Sequence, residues 1–393
     1  MAGSSRFVIG LLWHSVNSGN LGVGALSVAN IALLRDACAV VGVTPHFIVL
    51  GFADPGRQHY VVGNDIEFVP LNTAAMRPGG RFDSAVKRCD YMVDIGGGDS
   101  WTDLYGLKRL AFLWWSKWRT MQLGVPLLMA PQTIGPFVNI WLGRLAAVVM
   151  KRARGVIARD PQSFSAAQAI CPQARLHEMV DVAFALPFTA AARTSDRPII
   201  GINVSGLLFN RGYDGKSSFG MEIDYADYTR QLLSALGQRD EFRISLIAHV
   251  NSDSLPIDDD TRIAELLQGE FPFVELAPKF ADPIAAKSFI SSLDFLVAGR
   301  MHACIAAYSA GVAVLPVAYS RKFSGLFEGV LQYPFGVPVK GVRTDKAVAL
   351  TLEAIDNRAE MASRIASGNA IAQERLEQYR QILALEIRMF ANV

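Results

Sequence analysis

The sequence predicts an α/β protein with two parallel-sheet domains, and three observations carry that prediction. The chain has 393 residues, more than one ordinary core organises and enough for two domains of about 150 to 200 residues each. Short apolar runs alternate with glycine-rich or polar loops and helical patterns through residue 185, which is the order of a doubly wound sheet. The same alternation restarts after a short polar, alanine-rich stretch. The divisions expected are a first domain over 1–188, a linker over 189–198, a second domain over 199–345, and C-terminal helices over 346–393 that could pack back on the first domain. A cleft between the domains is expected.

Composition narrows the function classes. Hydrophobic residues make up 51% of the chain and the net charge is +2, which excludes a disordered chain and makes no case for a nucleic-acid partner. Any basic feature must be local. Cys38, Cys89, Cys171 and Cys304 lack Cys-x-x-Cys spacing, so buried reduced thiols and a cytoplasmic protein are expected, without a structural zinc site. Residues 1–6 run straight into a strand-like segment and lack the long apolar region of a secretory signal. The apolar segments 110–118 and 138–150 are interrupted by Lys117 and Arg144 and fall short of the roughly 20 apolar residues that span a bilayer. No transmembrane helix is expected.

Residues 7–12 read as a buried first strand, the stretch 14–25 as a loop, and 29–40 as a helix. Small residues and asparagines between a strand and a helix can turn backbone N–H groups toward an anion. An ordinary turn is the structural alternative, but Asn17 and Asn20, flanking Gly19, add side-chain amides that a plain turn does not need. Residues 45–50 read as a second strand and 51–81 as a loop-rich stretch. A strand over 89–95 ends in Gly96-Gly97-Gly98, where the absence of side chains lets the backbone approach a ligand. The helix beyond carries Trp114, Trp115 and Trp118 among Lys108, Arg109, Lys117 and Arg119. Packing on the sheet is its expected role, with a membrane surface as the alternative. A strand over 126–130 opens into Gln132-Thr133-Ile134-Gly135-Pro136-Phe137, and one over 155–158 delivers Arg159, with Asp160 capping the next helix. A structural pairing of Arg159 with an aspartate is the competing role.

The second domain begins with a strand over 198–204, which includes Asn203. The strand over 242–248 ends at His249, which reads as a local hydrogen-bonding residue or a ligand. The run Asp258-Asp259-Asp260 fits favourable charge at a helix start and does not look like a metal site. Residues 293–298 form a short buried strand leading into Gly299-Arg300-Met301-His302, so an arginine and a histidine stand where open α/β sheets hold ligands. Arg300 pairing with a carboxylate and His302 capping the helix is the purely structural alternative. The strand over 313–318 ends in Tyr319-Ser320-Arg321-Lys322, and cations clustered beside a titratable group suggest an anionic substrate. Residues 344–393 are helical in pattern.

Taken in order, these segments resemble the polysaccharide pyruvyl transferase family. The match runs from Asn17-Ser18-Gly19-Asn20 through Gly96-Gly97-Gly98, the Gln132–Phe137 segment, Arg159-Asp160 with Ser163, and Asp181-Val182-Ala183-Phe184 to Gly299-Arg300-Met301-His302 and Tyr319-Ser320-Arg321-Lys322. Each motif is weak alone, and their order and spacing are more specific. The resemblance implies a GT-B-like fold of two facing Rossmann-like domains. It implies transfer of the enolpyruvyl-derived group of phosphoenolpyruvate to a sugar of a polysaccharide or its precursor, free or lipid-linked, forming a pyruvate ketal.

Phosphoenolpyruvate would be the donor substrate, with no cofactor and no metal. Arg159 and Arg300 look like the donor-binding arginines and His302 like the catalytic histidine. Asn17, Gly19, Asn20, Gly97, Gly98, Thr133, Asn203, His249, Arg321 and Lys322 make up the rest of the expected substrate-binding set. Both arginines are expected at strand tips outside the core. A cytoplasmic location at the inner membrane face, with peripheral membrane association, is expected. A GT-B glycosyltransferase using a nucleotide sugar, or a non-catalytic sugar-binding protein, are the alternatives.

Overall fold

The computed structural model describes residues 6–191, 195–213, 215–216, 219–252 and 255–391. Two parallel sheets carry the chain. The first has the order β3-β2-β1-β4-β5-β6-β7, built from Arg6–Leu12 (β1), Thr44–Gly51 (β2), Ile66–Pro70 (β3), Tyr91–Asp94 (β4), Leu127–Gln132 (β5), Gly155–Ala158 (β6) and Leu176–Glu178 (β7). The second has the order β10-β9-β8-β11-β12, from Ile199–Asn203 (β8), Arg243–Ile247 (β9), Glu275–Leu276 (β10), Phe295–Ala298 (β11) and Ala313–Pro316 (β12). All neighbouring strands pair in parallel. The central strands are buried and mainly apolar, with polar residues such as Asp94, Gln132 and Asn203 at their ends, as sheets covered on both faces require.

The helices of the first half are α1 (Leu21–Val41), α2 (Arg81–Val86), α3 (Leu107–Gln122), α4 (Ile140–Arg152) and α5 (Pro161–Ile170). Those that follow are α6 (Gly206–Phe209), α7 (Tyr225–Leu236), α8 (Asp260–Glu270), α9 (Pro283–Ile290), α10 (Met301–Ser309), α11 (Arg321–Phe323), α12 (Thr344–Asp356) and α13 (Arg358–Phe390). Their starts are written locally. Asp160 accepts from the backbone N–H of Ser163 at 2.7 Å ahead of Pro161, and Asp282 accepts from Ala285 at 2.8 Å ahead of Pro283, the pairing of a side-chain cap with a proline in the first turn.

The chain divides into two compact units. One comprises Met1–Ser18, Leu26–Leu186 and Gln373–Val393, the other Gly19–Ala25 and Pro187–Ala372. This departs from the expected division at Gly19–Ala25, while the end of the chain returns to the first unit as the expected packing of the C-terminal helices has it. Gly19–Ala25 joins the second unit because Leu21 donates its N–H to the His249 carbonyl at 3.1 Å, and Asn251 donates to the Gly19 carbonyl at 2.9 Å. The end of α13 joins the first unit. There Glu386 accepts from the Tyr91 hydroxyl at 2.8 Å and from Arg154 Nε at 2.9 Å, and the Tyr379 hydroxyl donates to Asn30 Oδ1 at 3.0 Å. Of the expected linker over 189–198, residues 192–194 lie outside the described residues, while Thr189 and Ala191 donate to the hydroxyls of Ser288 and Ser291 at 3.1 and 3.0 Å.

Three local expectations are corrected. The stretch 51–81 contains the edge strand β3, and β7 forms the opposite edge. Helix α1 begins at Leu21, so the loop ends at Asn20. By length and composition α1 could cross a membrane, but 67% of its most apolar window is buried in the protein. The four cysteines are buried and free.

Candidate active site

In the second unit the strand order reverses between β8 and β11, the position where open sheets bind ligands. Asn203 closes β8, and its Oδ1 accepts from the Arg300 backbone N–H at 3.0 Å, so one amide spans the reversal. Arg300 is the last extended residue before α10. Its guanidinium is held on one side. Nε donates to Asp260 Oδ1 at 3.1 Å, while Nη2 donates at 2.7 Å to Asp260 Oδ1 and at 2.7 Å to Asp258 Oδ1. Nη1 makes no hydrogen bond among the described residues, and the side chain is 13% exposed. Burial alone would make Arg300 easier to deprotonate, but the Asp260 and Asp258 charges and their hydrogen bonds outweigh it and raise its pKa above the usual arginine value.

Asp260 is the hub of this edge and is fully buried. Besides Arg300, its carboxylate accepts from the backbone N–H groups of Gly206 at 2.8 Å and of His249 and Val250 at 3.1 Å each, and from Asn203 Nδ2 at 3.3 Å. It therefore ties the tips of β8, β9 and β11 together. The acidic run is thus more than helix-start charge, although Asp259 does cap α8 by accepting from Thr261 at 2.9 Å. Sequence reasoning missed this role because the partner stands 40 positions away.

His302 sits in the first turn of α10. Its ring lies against Gly22, where an added Cβ would stand 2.5 Å from Nδ1 and 2.8 Å from Cγ, so only glycine leaves room for it. Asn20 shapes that turn by accepting from the Gly22 N–H at 3.0 Å. The loop amide singled out for ligand contact is therefore a helix cap. His249 is buried, and desolvation, with the charges of His302 and Arg300 adding to it, pushes its pKa down to about 3. Its ring is neutral at physiological pH. Arg321 and Lys322 are half-buried at the start of α11, beyond β12, which pairs beside β11.

The first unit gathers a second polar group at the tips of β4, β5 and β6. Gly96, Gly97 and Gly98 all have positive φ, between 55° and 89°, a backbone shape that favours glycine. Thr133 donates its N–H to the Gly98 carbonyl at 2.8 Å. Arg159 is 2% exposed and donates through Nη1 to Asp181 Oδ2 at 2.7 Å, while Asp181 also caps the short turn after it by accepting from Ala183 at 2.9 Å. The expectation that Arg159 stands outside the core is corrected: it is buried and pairs with an aspartate, Asp181. An added Cβ on Gly98 would stand 3.8 Å from Arg159 Nη1, so the glycine loop and this guanidinium are neighbours.

Below them Lys117 and Asp94 form a buried ion pair of 3.0 Å, with Gln132 Nε2 donating to Asp94 Oδ2 at 3.1 Å. The Ser100 and Thr133 hydroxyls and Gln132 Oε1 are buried without a hydrogen-bond partner among the described residues. Asn17 is spent on structure. Its Nδ2 donates to the Asp54 carbonyl at 3.1 Å and its Oδ1 accepts from the Asp54 N–H at 3.3 Å, clamping the loop after β2.

Comparison with known proteins follows this division. The fold is that of solved structures which the chain matches over nearly its whole length. Sucrose-phosphate synthase from Thermosynechococcus elongatus aligns with TM-score 0.61 at 13% identity, over 99% of this chain and 98% of that one. UDP-GlcNAc 2-epimerase from Neisseria meningitidis aligns with TM-score 0.54 at 11% identity, over 95% and 100%. The trehalose 6-phosphate synthase of Burkholderia multivorans gives TM-score 0.55 at 10% identity, over 99% of each chain. At such identities the likeness shows the fold, two Rossmann-like units of the GT-B class. No curated protein matches the sequence. The family model of polysaccharide pyruvyl transferases matches residues 34–321, a span that takes in the glycine loop, Arg159, the Asp260 hub and Arg300-Met301-His302. The chain belongs to the polysaccharide pyruvyl transferase family.

Proposed function

We propose that the protein transfers the enolpyruvyl-derived group of phosphoenolpyruvate to a sugar of a polysaccharide or its precursor, closing a pyruvate ketal and releasing phosphate. One observation carries the reading. Arg300 is fixed on one side by Asp258 and Asp260 with Nη1 unengaged, and His302 follows two residues later in the first turn of α10. A guanidinium held in this way can meet a carboxylate or phosphate without reorganising, which favours an anionic donor. His302 as imidazolium donates a proton to the methylene carbon of the donor, and a sugar hydroxyl bonds to the adjacent carbon. The proton of that hydroxyl restores the imidazolium. A second hydroxyl of the same sugar then displaces phosphate, which carries away the remaining proton, and the ketal closes. Lys322 is assigned to the departing phosphate. Arg159 is kept as the second donor-binding arginine of the family pattern.

The test is incubation with phosphoenolpyruvate and a panel of free and lipid-linked glycans, reading phosphate release and the methyl proton signal of a ketal. Phosphate release that depends on the glycan supports the reading. Transfer from a nucleotide sugar, with phosphoenolpyruvate untouched, replaces it by a glycosyltransferase activity, the second reading favoured by the UDP-sugar bound in the neisserial epimerase structure.

A further inference from the structure

From residue 104 to residue 159 the sequence contains no aspartate or glutamate, although the whole chain is nearly neutral. The basic residues of that run divide into two groups. Lys117 and Arg159 are buried, and Arg119 and Arg154 are paired with Asp83 and Glu386. Lys108, Arg109, Arg144, Lys151 and Arg152 are exposed and form no ion pair among the described residues.

These five share a surface with the largest group of exposed apolar side chains in the first unit. Helices α3 and α4 lie side by side. Asp103, just before α3, accepts from the backbone N–H groups of Val138 and Asn139 at 3.0 and 2.7 Å, Trp114 donates to the Leu145 carbonyl at 2.8 Å, and the Arg152 guanidinium lies 4.3 Å from the Trp118 ring centre. Trp114, Trp115 and Trp118, the aromatic face noted in the sequence, turn inward and pack against the core. What faces outward is Val138 at 78% exposure, Trp141 at 68% and Ile140 at 64%, joined by Leu145 from the same helix and by Leu104 and Leu107 from the neighbouring loop and helix start. Arg144 and Arg109 lie against the rings of Trp141 and Tyr105 at 4.7 and 5.3 Å.

We propose that this face docks the protein on a bilayer containing anionic lipid. Exposed aliphatic and indole side chains enter the boundary of headgroups and acyl chains, while arginine and lysine at the rim meet lipid phosphates. The charge chooses the occupant. A second copy docking through the same face would set these cations against themselves, and a nucleic-acid backbone offers nothing to Val138, Ile140 or Leu107. The inference does not depend on the proposed reaction.

The test uses the full chain and large vesicles of phosphatidylcholine, with and without phosphatidylglycerol, read by co-sedimentation. The wild type is expected to sediment with the mixed vesicles far better than with phosphatidylcholine alone, and to be released by salt. Ile140→Glu with Trp141→Glu should lower vesicle partition at least tenfold, and each cation removed in Arg144→Ala with Lys151→Ala about fivefold. Val62→Glu, at an exposed apolar site elsewhere, should change nothing. All these side chains are exposed, so unchanged melting temperatures are expected. Equal binding of the doubly charged variant and the wild type overturns the proposal. So does wild type that ignores mixed vesicles, which would leave an acidic protein surface as the occupant. A dimer that is lost with Trp141→Glu would assign the face to a second copy and overturn it as well.

Discussion

Arg159 and Arg300 each stand just past a strand end, yet their surroundings make different demands. Arg159 and Asp181 are 2% and 0% exposed, so removing the Arg159 side chain leaves a fully buried carboxylate without its cation. Breaking such a buried pair costs about 3 to 5 kcal/mol. Asp260 retains four N–H donors without Arg300, so Arg300→Ala should cost less stability than Arg159→Ala. Denaturant midpoints check the order, and equal losses would contradict it. Lost activity in Arg159→Ala therefore says little about donor binding. The buried histidines set a pH dependence. His14 accepts from Asn30 through Nε2 and, like His249, is pushed by burial to about 3. The unfolded chain binds these protons below about 6.5 and the folded chain only near 3. Stability is therefore complete above 6.5 and falls as the pH drops, by about 1.4 kcal/mol per unit for each histidine. Melting temperatures between pH 7 and pH 5 should fall, and less steeply in His249→Asn. A flat profile would show that the rings are not held neutral.

At the scale of elements, the strands and helices whose cues are local were legible in the sequence. The central strands announced themselves as largely apolar runs, and Asp160 marked a helix start. The edge strands of the first sheet did not, because β3 and β7 are half-buried and carry polar residues such as Glu67 and His177. The start of α1 was misread for a related reason. Gly22 and Gly24 look like turn residues, but Gly22 is glycine because the His302 ring occupies the place of its side chain, and no local pattern reveals a neighbour 280 positions away. This gives a prediction with two separate readouts. Gly22→Ala adds helix propensity but sets its Cβ against the His302 ring, so the two effects oppose and the melting temperature should change little, while the displaced imidazole should lower turnover at least tenfold through kcat. Normal turnover in that variant would show that the seat of His302 does not matter to the reaction.

For the whole molecule, the class of two parallel-sheet units followed from length and from the repeated order of strand, loop and helix, and the family from the order of short motifs. The return of the C-terminal helices to the first unit was expected, and Glu386 and Tyr379 hold the end of α13 there. The exchange of Gly19–Ala25 was not legible, because it rests on long-range backbone bonds to His249 and Asn251. The Asp260 hub was hidden for the same reason, since three adjacent aspartates look alike until the fold selects one. The central claim is that His302, placed by Arg300, is the acid that starts transfer from phosphoenolpyruvate. It is tested most directly by single-turnover phosphate release from phosphoenolpyruvate in the presence of an accepting glycan, comparing wild type with His302→Gln. Release from the wild type and a loss of about 10² to 10⁴ in the variant, with donor affinity retained, is the result expected for a positioned acid. Release at the wild-type rate from His302→Gln would contradict the account.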